Sequence, residues 1–329
     1  MNALVTGASG FIGGAVARAL VRRGDRVRAL LRPGSAPNLD EASEVEILRG
    51  DLRDAQAVRA AAEGCEAIFH VGAVYSFSQP PAEVLAVNVG GTRNVLEAAR
   101  STGARVVYCS SIATIGGVRN GQIPDETFTP HGPLPGPYKQ SKWEAEMLVR
   151  TAARDGVNAV IVNPTFPVGM RDVKPTPTGK VICDFLNGRM PAYLDTGMNV
   201  VDVEDVADGH LLAFARGVRG ERYILGHGNL TMREFLEELA FISGRRAPRI
   251  RLPHAVALGL AHADAFVSGR LLRRAPRVPI EGVRTAREIM FANCRRAVRE
   301  LGLHQRPVHE ALAKAVRWFQ DAGHARTAS

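Results

Sequence analysis

Tyr138 and Lys142 stand four residues apart in Tyr138-Lys139-Gln140-Ser141-Lys142, so on a helix they share one face. An ammonium beside a phenol stabilises the phenolate. The pair therefore predicts a tyrosine of lowered pKa, able to exchange a proton with a hydroxyl or carbonyl oxygen. Ser111, in Cys109-Ser110-Ser111, is expected at a strand end on the same edge, where its hydroxyl can hydrogen-bond that oxygen. A second group lies near the N-terminus, where Gly7, Gly10 and Gly13 recur every three residues, with Ser9, Phe11 and Ile12 between them. A glycine turn leading from a strand into a helix offers free N–H groups and the positive end of a helix dipole to a pyrophosphate. The spacing is G-x-x-G-x-x-G rather than the usual G-x-G-x-x-G. Its placement between an apolar strand and a helix is what makes it a dinucleotide site.

Strand two is expected at Val27–Leu31, and its end commonly carries an acid for the ribose 2′-hydroxyl. Arg32 stands there instead. A guanidinium suits a 2′-phosphate and offers no acceptor to a free hydroxyl pair, so NADP(H) is the expected cofactor, with NAD(H) open. A solvated arginine at a loop start is the plain alternative.

These side chains need a scaffold that brings them together. Short apolar runs at Ala3–Val5, Val27–Leu31, Val45–Leu48, Ala67–Val71, Arg105–Cys109 and Ala159–Val162 read as strands. Helical runs separate them at Ala15–Val21, Ala55–Glu63, Val84–Arg100 and Lys139–Arg154. That alternation predicts an α/β fold, a Rossmann-type doubly wound parallel sheet with helices on both faces. Right-handed crossovers place Gly7–Gly13, Arg32, Asp51, Gly72, Ser111 and Pro164 along one edge, the crevice where such sheets bind ligands. From Thr165 the chain turns loop-rich, with Pro167, Pro175, Pro177 and Pro191. Further strands are expected at Val200–Val203 and Tyr223–Leu225, and helices at Val181–Asn187, Val206–Ala215 and Val308–Phe319. Thr231-Met232-Arg233-Glu234 has the form of a capping box before another helix. Residues 1–164 thus read as the dinucleotide-binding domain, to which later segments return. Residues 165–329 read as a smaller substrate lobe with C-terminal helices.

Composition narrows the classes. The chain has 329 residues, 46% hydrophobic and 23% charged, which is ordinary for a globular enzyme. It has no apolar run of 18 residues to cross a membrane. With a strand beginning at residue 3 there is no room for a signal peptide, and a cytoplasmic protein is expected. Cys65, Cys109, Cys183 and Cys294 are far apart without metal-ligand spacing, so buried thiols are expected and metal is not. The net charge of +9 is concentrated: Arg245–Arg299 holds 13 arginines and only three acids. That patch could meet phosphates or an anionic membrane surface, or be a solvated face. Within it, Ala255–Leu272 is apolar and is followed by Arg273, Arg274 and Arg277. It is either a surface helix leaning weakly on an anionic bilayer or a core helix whose terminal arginines face its dipole. Nucleic acid is not expected as a partner.

Taken together, Thr6–Gly13, Gly50-Asp51-Leu52, Asn88–Thr92, Ser110-Ser111 and Tyr138-x3-Lys142 resemble the extended short-chain dehydrogenase/reductases, the NAD-dependent epimerase/dehydratase family. The resemblance implies that Asp51 and Leu52 border the adenine and that Gly72 and Ala73 line the cofactor channel. It also implies that Lys142 holds the nicotinamide ribose and that Pro164 and Thr165 border the nicotinamide. Asp205-Val206-Ala207 matches a further family segment. Asn163–Pro167, Lys174–Gly179, Asp184–Tyr193 and Gly220–Gly226 are similar to the hopanoid-associated sugar epimerases and the neighbouring dihydroflavonol 4-reductases. Three functions follow as alternatives. The first is NADP(H)-linked hydride transfer between nicotinamide and a hydroxyl or carbonyl carbon of a small or lipid-linked, polyol-like substrate. Arg32 and the reductase-like Pro164-Thr165-Phe166 favour it. The second is a nucleotide-sugar epimerase, with C-terminal arginines clamping the diphosphate. The third is a cofactor-sensing protein without turnover, which the Tyr138–Lys142 pair disfavours. Asn187, Arg189 and Tyr193 are candidate substrate contacts. A homodimer pairing the helices at Val84–Arg100 and Lys139–Arg154 is the assembly common in the family.

Overall fold

Strand segments without a polar face need cover on both sides, and the computed structural model supplies it by alternating them with helices. It describes residues 1–39, 45–75, 79–130, 134–266, 268 and 280–326. The first half runs β1 (Asn2–Thr6), α1 (Phe11–Arg22), β2 (Arg26–Leu31), β3 (Val45–Arg49), α2 (Ala55–Ala62), β4 (Ala67–His70), α3 (Pro81–Leu85), α4 (Gly91–Thr102), β5 (Arg105–Cys109), α5 (Gly136–Arg154) and β6 (Ala159–Pro164). The second half begins β7 (Phe166–Val168), α6 (Pro177–Leu186), β8 (Ala192–Leu194), β9 (Gly197–Asp202), α7 (Val203–Arg216), β10 (Arg222–Leu225) and β11 (Gly228–Thr231). It continues α8 (Met232–Ser243), β12 (Ile250–Leu252), α9 (His254–Phe266), α10 (Ile280–Thr285), β13 (Ile289–Met290) and α11 (Val308–Asp321).

Seven strands form one sheet in the order β10-β6-β5-β4-β1-β2-β3, with every pair parallel. The expected doubly wound sheet is therefore present. Successive strand residues face opposite sides: Val5 and Phe69 pack with Val16, Leu20 and Val206 of α1 and α7, whereas Leu4 and Ile68 pack with Val95 and Val149 of α4 and α5. The winding reverses between β1 and β4, and that switch point opens the crevice at their carboxyl ends. Beyond residue 165, α7 and β10 belong to this layer, while β9 centres a second sheet with β7, β11 and β13. The core of the smaller lobe gathers Ile182, Phe235, Leu239, Leu312 and Phe319 from α6, α8 and α11.

Two elements differ from the sequence expectation. The helix expected across Val84–Arg100 is interrupted by a π-turn at Ala86–Gly90, which separates α3 from α4 and carries the buried Asn88. The strand expected to reach Val203 stops at Asp202, whose carboxylate accepts from the Glu204 N–H at 2.8 Å and starts α7. The capping box at α8 forms as expected. All four cysteines are free and buried. Among the described residues there is no metal-binding cluster, and no helix is long and apolar enough to cross a membrane.

The basic segment is partly neutralised. Arg251 pairs with Asp195, Arg296 with Glu221 and Glu300, and Arg299 with Glu300. Arg270, Arg273, Arg274 and Arg277 lie outside the described residues, as does most of the expected apolar helix beyond Phe266. Asp205 of the family segment is fully buried and holds the Arg306 backbone and guanidinium, which fastens the C-terminal segment to α7.

Behind the switch point a polar chain crosses the sheet. The Gly72 N–H donates to Thr6 Oγ1 (3.0 Å), which pairs with His70 Nδ1 (2.8 Å); His70 Nε2 meets Thr92 Oγ1 (3.0 Å), and the Thr92 hydroxyl donates to the Asn88 carbonyl (2.6 Å). A carbonyl only accepts, so Thr92 Oγ1 accepts from His70 Nε2–H, and in the neutral ring Nδ1 accepts from the Thr6 hydroxyl. Burial, helped by the Lys142 ammonium, pushes the His70 pKa down from 6.5 to about 3. Between those values the unfolded chain holds a proton that the folded chain lacks, so stability falls as pH falls through that window. In thermal unfolding from pH 7.5 to 4.5, His70→Gln should lower the midpoint at pH 7.5 and give a shallower loss on acidification. An unchanged slope would contradict this role.

Candidate functional site

The turn after β1 has no room for side chains. Gly7 adopts φ +78°, and a Cβ there would sit 2.7 Å from Gly72 Cα at the end of β4. A Cβ on Gly13 would overlap the Gly7 carbonyl oxygen, whereas one on Gly10 would reach it at 3.3 Å. Gly10 is the N-cap of α1 and brings no capping side chain, and the first turn holds no acid. Its leading N–H groups and dipole are therefore available to an anion.

Arg32 follows β2 directly, is exposed, and makes no hydrogen bond or ion pair with its guanidinium among the described residues. Asp51 leads out of β3 and accepts from the Arg53 backbone and side chain at 2.8–2.9 Å. Those bonds, with Arg53 and Arg32 charge nearby, hold its carboxyl below the usual range.

On the other side of the switch point, α5 begins at Gly136 and presents Tyr138 in its first turn, one turn before Lys142. Lys142 Nζ donates to the Cys109 carbonyl (2.6 Å) and lies 4.7 Å from the centre of the Tyr108 ring. The expectation of a lowered Tyr138 pKa is not met in this arrangement. Burial raises the phenol, the Tyr75 hydroxyl adds to the rise, and the Ser111 hydroxyl only partly offsets both. The physical reason is geometric, because the ammonium is directed at the end of β5 rather than at the phenol. Burial also lowers the pKa of Lys142 itself. Tyr138 is accordingly a neutral phenol beside a serine hydroxyl.

Two buried networks fix these positions. Asn88 in the π-turn exchanges hydrogen bonds with the Val74 backbone (2.7 and 3.0 Å) and donates to Ser141 Oγ (2.9 Å), which donates to the Tyr138 carbonyl (2.8 Å). This ties the loop after β4 to the start of α5. Glu146, fully buried on α5, pairs with Arg222 of β10 (3.1 Å) and accepts from Ser110, Thr114 and Asn163 at 2.5–2.9 Å. Asn163 also donates to the Ser111 carbonyl (3.1 Å), while Ser111 Oγ accepts from the Ala113 N–H (3.2 Å). Four elements thus meet under Ser111.

One cavity of about 420 Å³ runs across the strand ends. Gly7, Ser9, Gly10, Phe11, Ile12, Gly13, Arg32, Asp51, Leu52, Gly72, Ala73, Ser111, Tyr138, Lys142, Pro164 and Thr165 all line it. Asn187, Arg189 and Tyr193 do not, which corrects the expectation for substrate contacts. Asn187 instead holds the Cys183 and His324 carbonyls, Arg189 is exposed beside Asp184, and Tyr193 packs on the core of the smaller lobe. No described arginine of the Arg245–Arg299 segment lines the cavity either. Its walls near Tyr138 are Tyr75, Pro135, Phe166, Pro167, Pro177 and Met290. The Tyr75 ring stands edge-on to Tyr138, with centroids 4.2 Å apart. Lys139 also lines the cavity and bridges to Glu288 of the smaller lobe at 2.8 Å. Tyr75 could have been found from its position just past a strand carboxyl end. Met290 comes from a two-residue strand that leaves no periodicity to read.

A parallel sheet with a glycine turn and an uncapped helix N-terminus at its switch point is a dinucleotide-binding fold, and comparison with known proteins makes the chain an NAD(P)-dependent enzyme. The profile of the NAD dependent epimerase/dehydratase family matches residues 3–226, and the chain belongs to that family. A Synechocystis protein provisionally named a dihydroflavonol 4-reductase is 44% identical over 98% of this chain and 96% of its own. Sterol demethylase protein B of Methylococcus capsulatus is 36% identical over 98% and 99%. The crystal structure of a nucleoside-diphosphate-sugar epimerase from Pseudomonas aeruginosa superposes with a TM-score of 0.81, at 27% identity over 99% of both chains.

The cradle fits the dinucleotide that this family uses, since any Cβ at Gly7 or Gly13 would occupy backbone space. Gly7→Ala and Gly13→Ala should each weaken dinucleotide binding by at least about tenfold in calorimetry, from clash and lost N–H geometry. Gly10→Ala should cost much less. Equal losses at all three positions would contradict the geometry.

Proposed function

We propose that the chain is an NADP(H)-linked oxidoreductase that interconverts a carbonyl and a hydroxyl on an apolar or lipid-linked substrate. The lining of the cavity carries the reading. Arg32 is its one arginine among the described residues and lies beyond β2, whereas the lining on the Tyr138 side combines Tyr75, Phe166, three prolines and Met290 with Lys139, Thr176 and Thr178. A free guanidinium suits the 2′-phosphate of NADP(H). Apolar walls suit a flavonoid-, steroid- or terpenoid-like carbonyl better than a nucleotide sugar, whose diphosphate would need cations, and the two lysines at this end are already engaged, Lys139 by Glu288 and Lys142 by the Cys109 carbonyl. The dihydroflavonol reductase name of the 44% relative agrees with this direction.

When bound, the nicotinamide supplies or receives the hydride. The protein residues do the rest. Ser111 donates a hydrogen bond that orients the substrate oxygen, and Tyr138 passes its proton to that oxygen as the carbonyl is reduced. A neutral phenol is the form that proton donation to the carbonyl oxygen requires. Lys142 supports the loop at Cys109 and contributes positive charge when Tyr138 has lost its proton. Leu52 and Asp51 flank the adenine end, Gly72 and Ala73 the channel, and Pro164 and Thr165 the nicotinamide end. The epimerase reading keeps one observation in its favour, the 27% identical sugar epimerase fold, and it requires a dinucleotide that never leaves.

Denaturing the purified protein and identifying any released dinucleotide by mass spectrometry separates the two readings. The expected result is little retained cofactor, with the emptied protein binding NADP⁺ more tightly than NAD⁺ in calorimetry. Arg32→Glu should reverse that preference. Tightly retained NAD⁺, or NAD⁺ bound at least as well as NADP⁺, would overturn the NADP(H) assignment. Tyr138→Phe should keep NADP⁺ affinity while lowering NADPH-dependent carbonyl reduction by at least about a hundredfold.

A further inference from the structure

Helix α9 is apolar almost all round, and a helix of that kind is ordinarily covered on every side. Among the described residues it is covered on one side. Ala257 and Ala261 are buried and Leu258 packs with Leu252 and Ile280, a contact built mainly from small side chains. The opposite stripe is open: Val256 is 48%, Leu260 56% and Phe266 61% exposed, with Gly259 and Ala263 between them. Ile250 of β12, the strand whose Leu252 joins that contact, is also 63% exposed. Three exposed arginines lie on the elements beside it. The lone acid of α9, Asp264, is held by Ser268 at 2.9 Å. Arg249 adjoins Ile250, and Arg284 and Arg287 lie on and just after α10, which packs along α9; all three are exposed and form no ion pair among the described residues.

We propose that this face rests on an anionic bilayer, with Val256, Leu260, Phe266 and Ile250 entering the acyl boundary and Arg249, Arg284 and Arg287 meeting headgroup phosphates. An apolar stripe bordered by arginines fits the interface between phosphate and hydrocarbon. A chain of contacts links the start of α9 to the cavity wall. His254, at the start of α9, contacts the Asp195 carbonyl (3.3 Å), and the neighbouring Thr196 holds the Glu288 carbonyl (3.1 Å). Glu288 pairs with the cavity residue Lys139, and Met290 two residues on lines the cavity itself. The docking stands on the surface alone and does not require the reductase reading.

The test is flotation of the full chain with vesicles of phosphatidylcholine alone or with phosphatidylglycerol, at low and high salt, beside the double variant Leu260→Glu/Phe266→Glu. Both substituted positions are exposed, so circular dichroism and the thermal midpoint should match those of the parent. The parent should float with phosphatidylglycerol vesicles at low salt and be released by high salt, and the variant should lose at least about tenfold in partitioning. No binding at low salt would overturn the proposal, as would equal binding to neutral vesicles or binding that the double variant retains. A parent that forms dimers, with the variant monomeric and neither bound to vesicles, would assign the face to a second copy of the chain instead.

Discussion

The close approach of β1 and β4 at the switch point is the constraint on which the site depends. Gly7 and Gly72 stand backbone to backbone there, and Gly13 lies against the Gly7 carbonyl. Only side-chain-free residues let α1 start close enough to the sheet for its uncapped N–H groups to face the crevice. Below that contact, Thr6, His70 and Thr92 satisfy each other's polar atoms and continue to Asn88. Asn88 then reaches Ser141 and, through it, the Tyr138 backbone. The dinucleotide end and the proton-transfer end of the cavity are parts of one hydrogen-bonded framework.

The second half of the framework is the buried Glu146. A carboxylate taken out of water is costly unless charge and hydrogen bonds replace its hydration. Arg222 supplies the charge from β10, and Ser110, Thr114 and Asn163 supply donors from β5, its following turn and β6. Because those partners come from separate elements, Ser111 is fixed only once the sheet is assembled through its last strand. This explains why β10, late in the chain, returns to the edge beside β6.

Much of this was legible in the sequence because local patterns wrote it. Apolar strands without a polar face implied a doubly covered sheet, and strand ends, the Tyr138–Lys142 spacing and the family resemblance together named sixteen cofactor and catalytic candidates that the cavity does bring together. Legibility failed where tertiary contacts decide. The π-turn at Asn88 breaks a helix whose apolar pattern runs on uninterrupted, because a buried amide there satisfies the Val74 backbone. The direction of the Lys142 ammonium toward Cys109 depends on β5, not on the four-residue spacing to Tyr138. Asn187, Arg189 and Tyr193 lie in a family-like segment, yet they fold away from the cavity, whose walls come instead from residues such as Tyr75, Phe166 and Met290. Loops and two-residue strands carry no period to read.

The central claim is that one cavity joins an NADP(H) cradle to a neutral phenol acting on an apolar carbonyl. It is tested most directly by supplying NADPH deuterated at the transferable nicotinamide C4 position together with a dihydroflavonol and other apolar ketones. Mass spectrometry of the product then reads where the label goes. The account predicts one deuterium on the new carbinol carbon for each cofactor oxidised, from one face of the nicotinamide only. Ketones left unlabelled, with a nucleotide sugar epimerised and no net cofactor consumed, would contradict it.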